Sequence, residues 1–283
     1  LAKHAGGRVR DKDHNGRNKG LSIVLFLIGI GLNNRDIPYS AIDDLKGADE
    51  VLVDQYTNFI TDEDLAWISG EFGVSPKLIH RSDLEENAKV MVEKAKEKDV
   101  ALLVSGDPLI ATTHHTILDL AAKKGVDYMV HHSSNIFSGG IGESGLDIYK
   151  FGPTTTITFW SEKYKPTSFI DVVKRNFENG QHTMGLCDYH YNEKRKMKVA
   201  EAIELLHVAD ETKGYNFITE KSKILVLGDI GKESQEIRYL QVGKIGKEDL
   251  RAFEGKVITL IIPGPLNFAE EEALAKFLQT NPR

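Results

Sequence analysis

Short apolar runs recur along the chain, each bounded by polar or glycine-bearing stretches. "IVLFLIG" (23–29), "EVLVDQY" (50–56), "VALLVSG" (100–106), "VDYMVHH" (126–132) and "HTMGLCD" (182–188) are of this kind, as are "KILVLGD" (223–229), "IRYLQVG" (237–243) and "KVITLIIPG" (256–264). Most are rich in β-branched residues and apolar at successive positions, which predicts strands covered on both faces in a mainly parallel sheet. The intervening "SDLEENAKVMVEKAKEK" opens with Ser82 and Glu85 in capping-box spacing and continues with helical periodicity. "YNEKRKMKVAEAIELLHVAD" (191–210) and "NFAEEEALAKFLQ" (267–279) also read as helices. Strands alternating with helices make the fold class α/β.

This pattern thins at "GGIGESGLDIYKFGPTTT" (139–156), a Gly-rich passage ending in Gly152-Pro153. The expected division is therefore an N-terminal α/β domain over 21–150 and a C-terminal α/β domain over 151–283. Residues 1–20 carry no apolar periodicity and are expected to form a disordered tail, with a basic functional arm as the lesser reading. That tail carries a net charge of +4, leaving −10 on the remainder of a chain whose total is −6. An acidic body is a poor candidate for gripping bare nucleic acid, which requires clustered Lys and Arg. The longest apolar stretch, Leu21–Leu32, is 12 residues long. A membrane-spanning helix needs about 20, so this stretch reads as a strand and no membrane partner is expected. A single cysteine, Cys187, excludes an internal disulfide and suits a reducing, cytoplasmic setting.

Ligands of open α/β sheets bind beyond the carboxyl ends of strands, so the loops there are the places to look for chemistry. The first, "IGIGLNNRDIP" (28–38), has Gly29-x-Gly31, which lets backbone approach a ligand or simply makes a tight turn. It is not a dinucleotide fingerprint, because the third glycine is missing. The second is Ser105-Gly106-Asp107-Pro108, where Pro108 suits the first turn of a following helix. Asp107 can accept hydrogen bonds from a ligand or cap that helix. The third, "HHSSNIFSGGIG" (131–142), offers Ser133, Ser134 and Asn135 as caps or ligand contacts. The histidine pairs 114–115 and 131–132 are adjacent in sequence and diverge in either a strand or a helix, so no metal is expected. No Ser-His-Asp order, GxSxG elbow, P-loop or paired-carboxylate motif stands out, and hydrolase and kinase readings lose ground.

Taken together these loops resemble the diphthine synthase family, within the tetrapyrrole-methylase superfamily of S-adenosylmethionine-dependent methyltransferases. The resemblance is carried by "LFLIGIGLNNRDI" (25–37), "SGDPLIATTHHTILDLAAKKGV" (105–126), "GLDIYKFGPTTTITF" (145–159), "NGQHTMGLCDYHY" (179–191) and "IIPGPLNFAEEEAL" (261–274). It implies two α/β domains with a cofactor cleft between them, and a homodimer. It further implies S-adenosyl-L-methionine as cofactor and methylation of the amino group of an aminocarboxypropyl-modified histidine on translation elongation factor 2. Whether the carboxylate of that arm is also methylated is left open. Carried over by position, the cofactor contacts are Leu32, Asp107, Ile110, Asn135, Ile136, Cys187, Ile230 and Ile258, with Gly29 and Gly31 in the first loop. Asn135 stands where Ser is familiar, Ile258 where His is expected, Cys187 where Leu is usual, and "LGDIGKES" (227–234) is altered. His182, Asp188 and Tyr189 are the candidate proton acceptors, a strand-end polar role being the alternative for His182 and Tyr189. Competing readings are a related methylase acting on a tetrapyrrole or ribosomal RNA, and a catalytically silent cofactor-binding partner.

Overall fold

The computed structural model describes residues 23–55, 60–79, 88–190, 193 and 195–278. The chain forms two compact units, the first ending at Asn135 and the second beginning at Ile136. The first unit is built on a five-stranded sheet ordered β3-β2-β4-β1-β5, with β1 Val24–Gly29, β2 Glu50–Asp54, β3 Lys77–Ile79, β4 Val100–Val104 and β5 Asp127–His131. Every pairing in it is parallel. Helices α1 Ile42–Lys46, α2 Asp62–Phe72, α3 Ala88–Lys94 and α4 His115–Lys124 lie between the strands.

The unbroken apolar character of β1 follows from what covers it. Leu25 and Leu27 pack with Met91, Val92, Ile117 and Leu118 of α3 and α4. Phe26 and Ile28 face the other way, onto Leu45 and Ile68 of α1 and α2. Burial of each such side chain contributes about 1.5–3 kcal/mol, so a polar residue on either face of this strand would be costly. Local signals agree with the packing. Thr61 and Asp64 form a capping box at the start of α2, and Gly73, at φ 67°, ends it in a left-handed turn.

The second unit holds the sheet β11-β10-β12-β7-β6, with β6 Thr155–Ile157, β7 Thr183–Cys187, β10 Lys223–Gly228, β11 Glu236–Gln241 and β12 Ile258–Ile262. A separate hairpin joins β8 Tyr189–His190 to β9 Arg195–Lys196. The helices here are α5 Ile136–Ser144, α6 Ser168–Glu178, α7 Val199–Lys213, α8 Lys247–Ala252 and α9 Phe268–Leu278. Its core gathers Ile157, Phe169, Ile170, Val173, Leu206, Val226 and Leu260.

Three features differ from the sequence reading. The second sheet is mainly antiparallel: β12 runs against both β7 and β10, and β10 against β11. Only a short turn separates β10 from β11, and a connection that short joins antiparallel neighbours alone. Next, the Gly-rich passage does not divide the two units. It folds inside the second unit, where α5 packs against β10: a Cβ on Gly140 would meet Ile136 and Leu227. Gly152 likewise sits against the Asn176 side chain, where a Cβ would fall 2.4 Å from Oδ1. The division between units therefore comes earlier, at Asn135/Ile136. Finally, α7 begins only at Val199, because Arg195 and Lys196 are drawn into the hairpin. The capping-box positions Ser82 and Glu85 lie outside the described residues. Among the described residues no helix is long and apolar enough to cross a membrane.

Candidate functional site

Three loops at the carboxyl ends of β1, β4 and β5 are bound to one another. Gly31 and Gly106 exchange backbone hydrogen bonds, Gly31 N–H to Gly106 O at 3.1 Å and Gly106 N–H to Gly31 O at 2.9 Å. Both glycines have left-handed backbone, φ 73° and 75°, which side-chain-bearing residues rarely adopt. Gly29 is required for a different reason: a Cβ there would lie 2.7 Å from Gly106 O and 2.8 Å from Ser133 Cβ. All three loops converge on it. The third loop closes on the first through Ser134 Oγ, which accepts from Leu32 N–H at 3.0 Å and donates to Asp36 Oδ2 at 2.8 Å. Ser133 Oγ adds a bond to Asp36 O at 2.6 Å.

Asp107 is the pin of this arrangement. It is only 4% exposed. Its Oδ1 accepts from Leu109 N–H at 2.9 Å, while Oδ2 accepts from Ser133 N–H at 3.2 Å and faces His132 Nδ1 at 2.8 Å. The carboxylate thus turns its own loop and ties it to the loop after β5. It does not cap a helix beginning at Pro108, because α4 starts only at His115. Residues 108–113 are turns, with Ala111 at φ 56°. The Pro108 carbonyl is held by Thr112 Oγ1 at 2.7 Å and by His114 Nδ1 at 2.9 Å. Buried His114 also meets Asp54 through Nε2 at 3.3 Å.

A second anchor holds the first loop to α2. Asn34, at φ 63°, donates from Nδ2 to Asp64 Oδ2 at 2.9 Å and accepts from Ser105 Oγ. Asp64 is the same carboxylate that completes the α2 capping box. Around this frame stand Leu32 and Asn135, both half-buried, and Ile110, which is 43% exposed.

Of the remaining cofactor candidates, the second unit brings four together at one end of its sheet. Ile258 opens β12 opposite Gly228, the last residue of β10, and Ile230 follows two residues later. Cys187 ends β7 on the other flank of β12, where Leu186 pairs with Thr259. Ile136 opens α5 against Gly140 and Leu227. Ile230 and Ile258 are buried, the latter in the apolar core, and burial pushes the Cys187 thiol far above its usual range.

The proton-acceptor candidates are occupied with structure. His182 is fully buried. Its Nδ1 accepts from Gly264 N–H at 3.0 Å, and its Nε2 donates to Glu270 Oε1 at 2.9 Å. Burial lowers its pKa against the pull of Glu270. Burial alone would raise the Glu270 carboxyl, but bonds from Lys150, Asn267 N–H and His182 overcome it and hold the group at about 2. Lys150 also donates to Pro265 O at 2.7 Å, so this cluster joins the "YKFG" and "PGPLNF" segments through His182. Asp188 accepts from Phe159 N–H and Tyr189 N–H at 3.1 and 2.9 Å. Tyr189 lies half-buried in the hairpin opposite Lys196. Among the described residues no group of three potential metal ligands occurs.

The profile of the Tetrapyrrole (Corrin/Porphyrin) Methylases family matches residues 24–245. The diphthine synthase of Methanocaldococcus jannaschii is 34% identical over 261 residues, covering 91% of this chain and all of its own. That of Methanococcus maripaludis is 32% identical over 259 residues, again with 91% of this chain and 100% of its own covered. Among solved structures, a provisionally named diphthine synthase from Entamoeba histolytica has a TM-score of 0.80 at 30% identity, covering 92% of this chain and 100% of its own. Another diphthine synthase structure has a TM-score of 0.78 at 28% identity, covering 90% and 96%. The chain belongs to the tetrapyrrole methylase family, in its diphthine synthase group, and is a methyltransferase.

Proposed function

We propose that this chain methylates the amino group of the aminocarboxypropyl arm on one histidine of translation elongation factor 2, a step of diphthamide biosynthesis, with S-adenosyl-L-methionine as methyl donor. The relatives' shared name supports the reading, and the observation that carries it here is the three-loop frame pinned by Asp107. The same reading makes the protein a cytoplasmic homodimer. The acidic chain, net −6, favours a protein substrate over ribosomal RNA.

The residues present fit such a donor. The missing side chain of Gly106 leaves space, since a Cβ there would have no neighbour nearer than Asn135 Cβ at 3.9 Å. Exposed Ile110 and half-buried Leu32 supply apolar walls for an adenine and a thioether. Asp107 Oδ1, which accepts one backbone bond, has a lone pair left for a hydroxyl or an amine. Asn135 and the loop amides would serve the remaining polar groups. When bound, the donor supplies a methyl already activated by positive sulfur.

The protein's task is then alignment and exclusion of water, not strong acid–base catalysis. The arm's ammonium must lose a proton before transfer. Both ring nitrogens of His182 are committed and both oxygens of Asp188 hold backbone amides, so water is the acceptor in this reading. Labelled S-adenosylmethionine offered with elongation factor 2 from cells lacking the enzyme, with ribosomal RNA, or with a corrin-type tetrapyrrole tests it. Label on the elongation factor alone supports the proposal; label on either competitor, or on none, overturns it.

A further inference from the structure

We propose that Ser40, His131 and Asp44 form a second, hydrolytic site in the first unit, one that cleaves small carboxylic esters through an acyl-Ser40 intermediate. His131 is the last residue of β5 and is 7% exposed. Its Nε2 lies 3.0 Å from Asp44 Oδ2, and its Nδ1 lies 3.3 Å from Ser40 Oγ. A carboxylate only accepts, so the imidazole carries its proton on Nε2 and leaves Nδ1 as the acceptor facing the serine hydroxyl. Nucleophile, base and orienting carboxylate are therefore linked in the order that activated-serine chemistry requires. A 3.3 Å separation is of the length such bonds have before substrate closes them.

The placement also separates this trio from the glycine loops. Along β5, Tyr128 and Val130 pack on the face of the sheet with Leu25 and Leu27, and Met129 on the face with Phe26 and Ile28. His131 follows Met129, 6.4 Å from the Phe26 ring, and reaches α1. His132 takes the other side and reaches Asp107. Ser40 and Asp44 stand one helical turn apart, so both can meet one ring. Unlike the buried histidine, Ser40 is open to solvent, as is its neighbour Tyr39, which is 91% exposed.

In the proposed reaction Ser40 Oγ attacks the acyl carbon while its proton moves to His131 Nδ1. The bond from acyl carbon to alkoxy oxygen breaks, and the departing alcohol takes that proton. Water then adds to the acyl-serine, gives a proton to Nδ1, and releases the carboxylic acid as Ser40 regains its hydrogen. Water is the only co-reactant.

The test treats the full chain with a fluorophosphonate probe, maps the adduct by mass spectrometry, and follows p-nitrophenyl acetate hydrolysis. The expected results are an adduct on Ser40 and a loss of at least about a hundredfold in hydrolysis for Ser40→Ala and for His131→Gln. Because His131→Gln removes a buried contact, circular dichroism checks that each variant is folded, and Asp44→Asn serves in its place where it is not. No adduct on Ser40 of the folded wild type, or hydrolysis unchanged in Ser40→Ala, overturns the proposal and leaves the trio as a clip between β5 and α1.

Discussion

Replacing Asp107 by alanine removes the carboxylate that joins two of the three loops. Two backbone amides, Leu109 N–H and Ser133 N–H, lose their acceptor. Each bond to a charged acceptor contributes about 1.5–3 kcal/mol, and both amides are only partly buried, so about 3 kcal/mol of stability should go. The His132 contact adds little, because that side chain is 66% exposed. Affinity for S-adenosylmethionine should fall at least about tenfold, equal to about 1.4 kcal/mol. Asp107→Asn should give about half the stability loss: its amide oxygen can still receive Leu109 N–H while its NH2 faces the Ser133 amide. Urea unfolding followed by circular dichroism reads the first quantity and titration calorimetry the second. Unchanged stability in Asp107→Ala would refute the pinning role. Unchanged affinity alongside a large stability loss would refute any link between this pin and the cofactor.

Other expectations follow from single positions. Gly29→Ala should cost about 1–3 kcal/mol, because its Cβ meets backbone and Ser133 that cannot easily move. Gly70→Ala, inside α2 with nothing within 4 Å of its Cβ, should instead stabilise by about 1 kcal/mol; denaturant midpoints of the pair check both signs. The unfolded chain binds more protons than the folded one as acid is added, first at His182, whose pKa is lowered, then at Glu270, held at about 2. Stability should therefore be full above the ordinary histidine range and fall in two stages, the second between about 4.5 and about 2. Glu50, held at about 2 by Lys98 and Lys94, loses its contribution over the same range. In urea midpoints measured against pH, Glu270→Gln should therefore shrink the second stage without abolishing it. Cys187 should resist iodoacetamide at neutral pH until the protein unfolds, since burial keeps it a thiol; fast alkylation of the native chain would contradict this.

Much of this was legible in the residues. All eight long strands were legible, the central ones because burial on both faces selects uninterrupted apolar runs, as in β1. The half-buried edge strands β5 and β11 keep only shorter apolar runs. The short strands were not legible. Lys77–Ile79 exposes two of its three residues, and the Tyr189–Lys196 hairpin lies within a charged stretch that mimics helical spacing. Strand direction in the second sheet depends on connections, not on the strands' own composition, so an apolar run such as β12 carried no sign of it. At the site, Gly31, Gly106 and Asp107 stood out because unusual backbone needs glycine and a strand end needs a reason for a carboxylate. Their partners did not: Asn34, His132 and Glu270 lie 71, 25 and 88 positions from the groups they hold, Ser105, Asp107 and His182. No spacing rule reaches that far. His182 looked like a base, and only its two neighbours show that both ring nitrogens are spoken for.

The most direct measurement incubates the protein with S-adenosylmethionine and elongation factor 2 bearing the unmethylated aminocarboxypropyl arm, then weighs the histidine peptide by mass spectrometry. The proposed function predicts methyl groups on that peptide, and at least about tenfold less methylation when Asp107→Ala replaces the wild type at a limiting donor concentration. A peptide of unchanged mass, with donor bound to the wild-type protein, would contradict it.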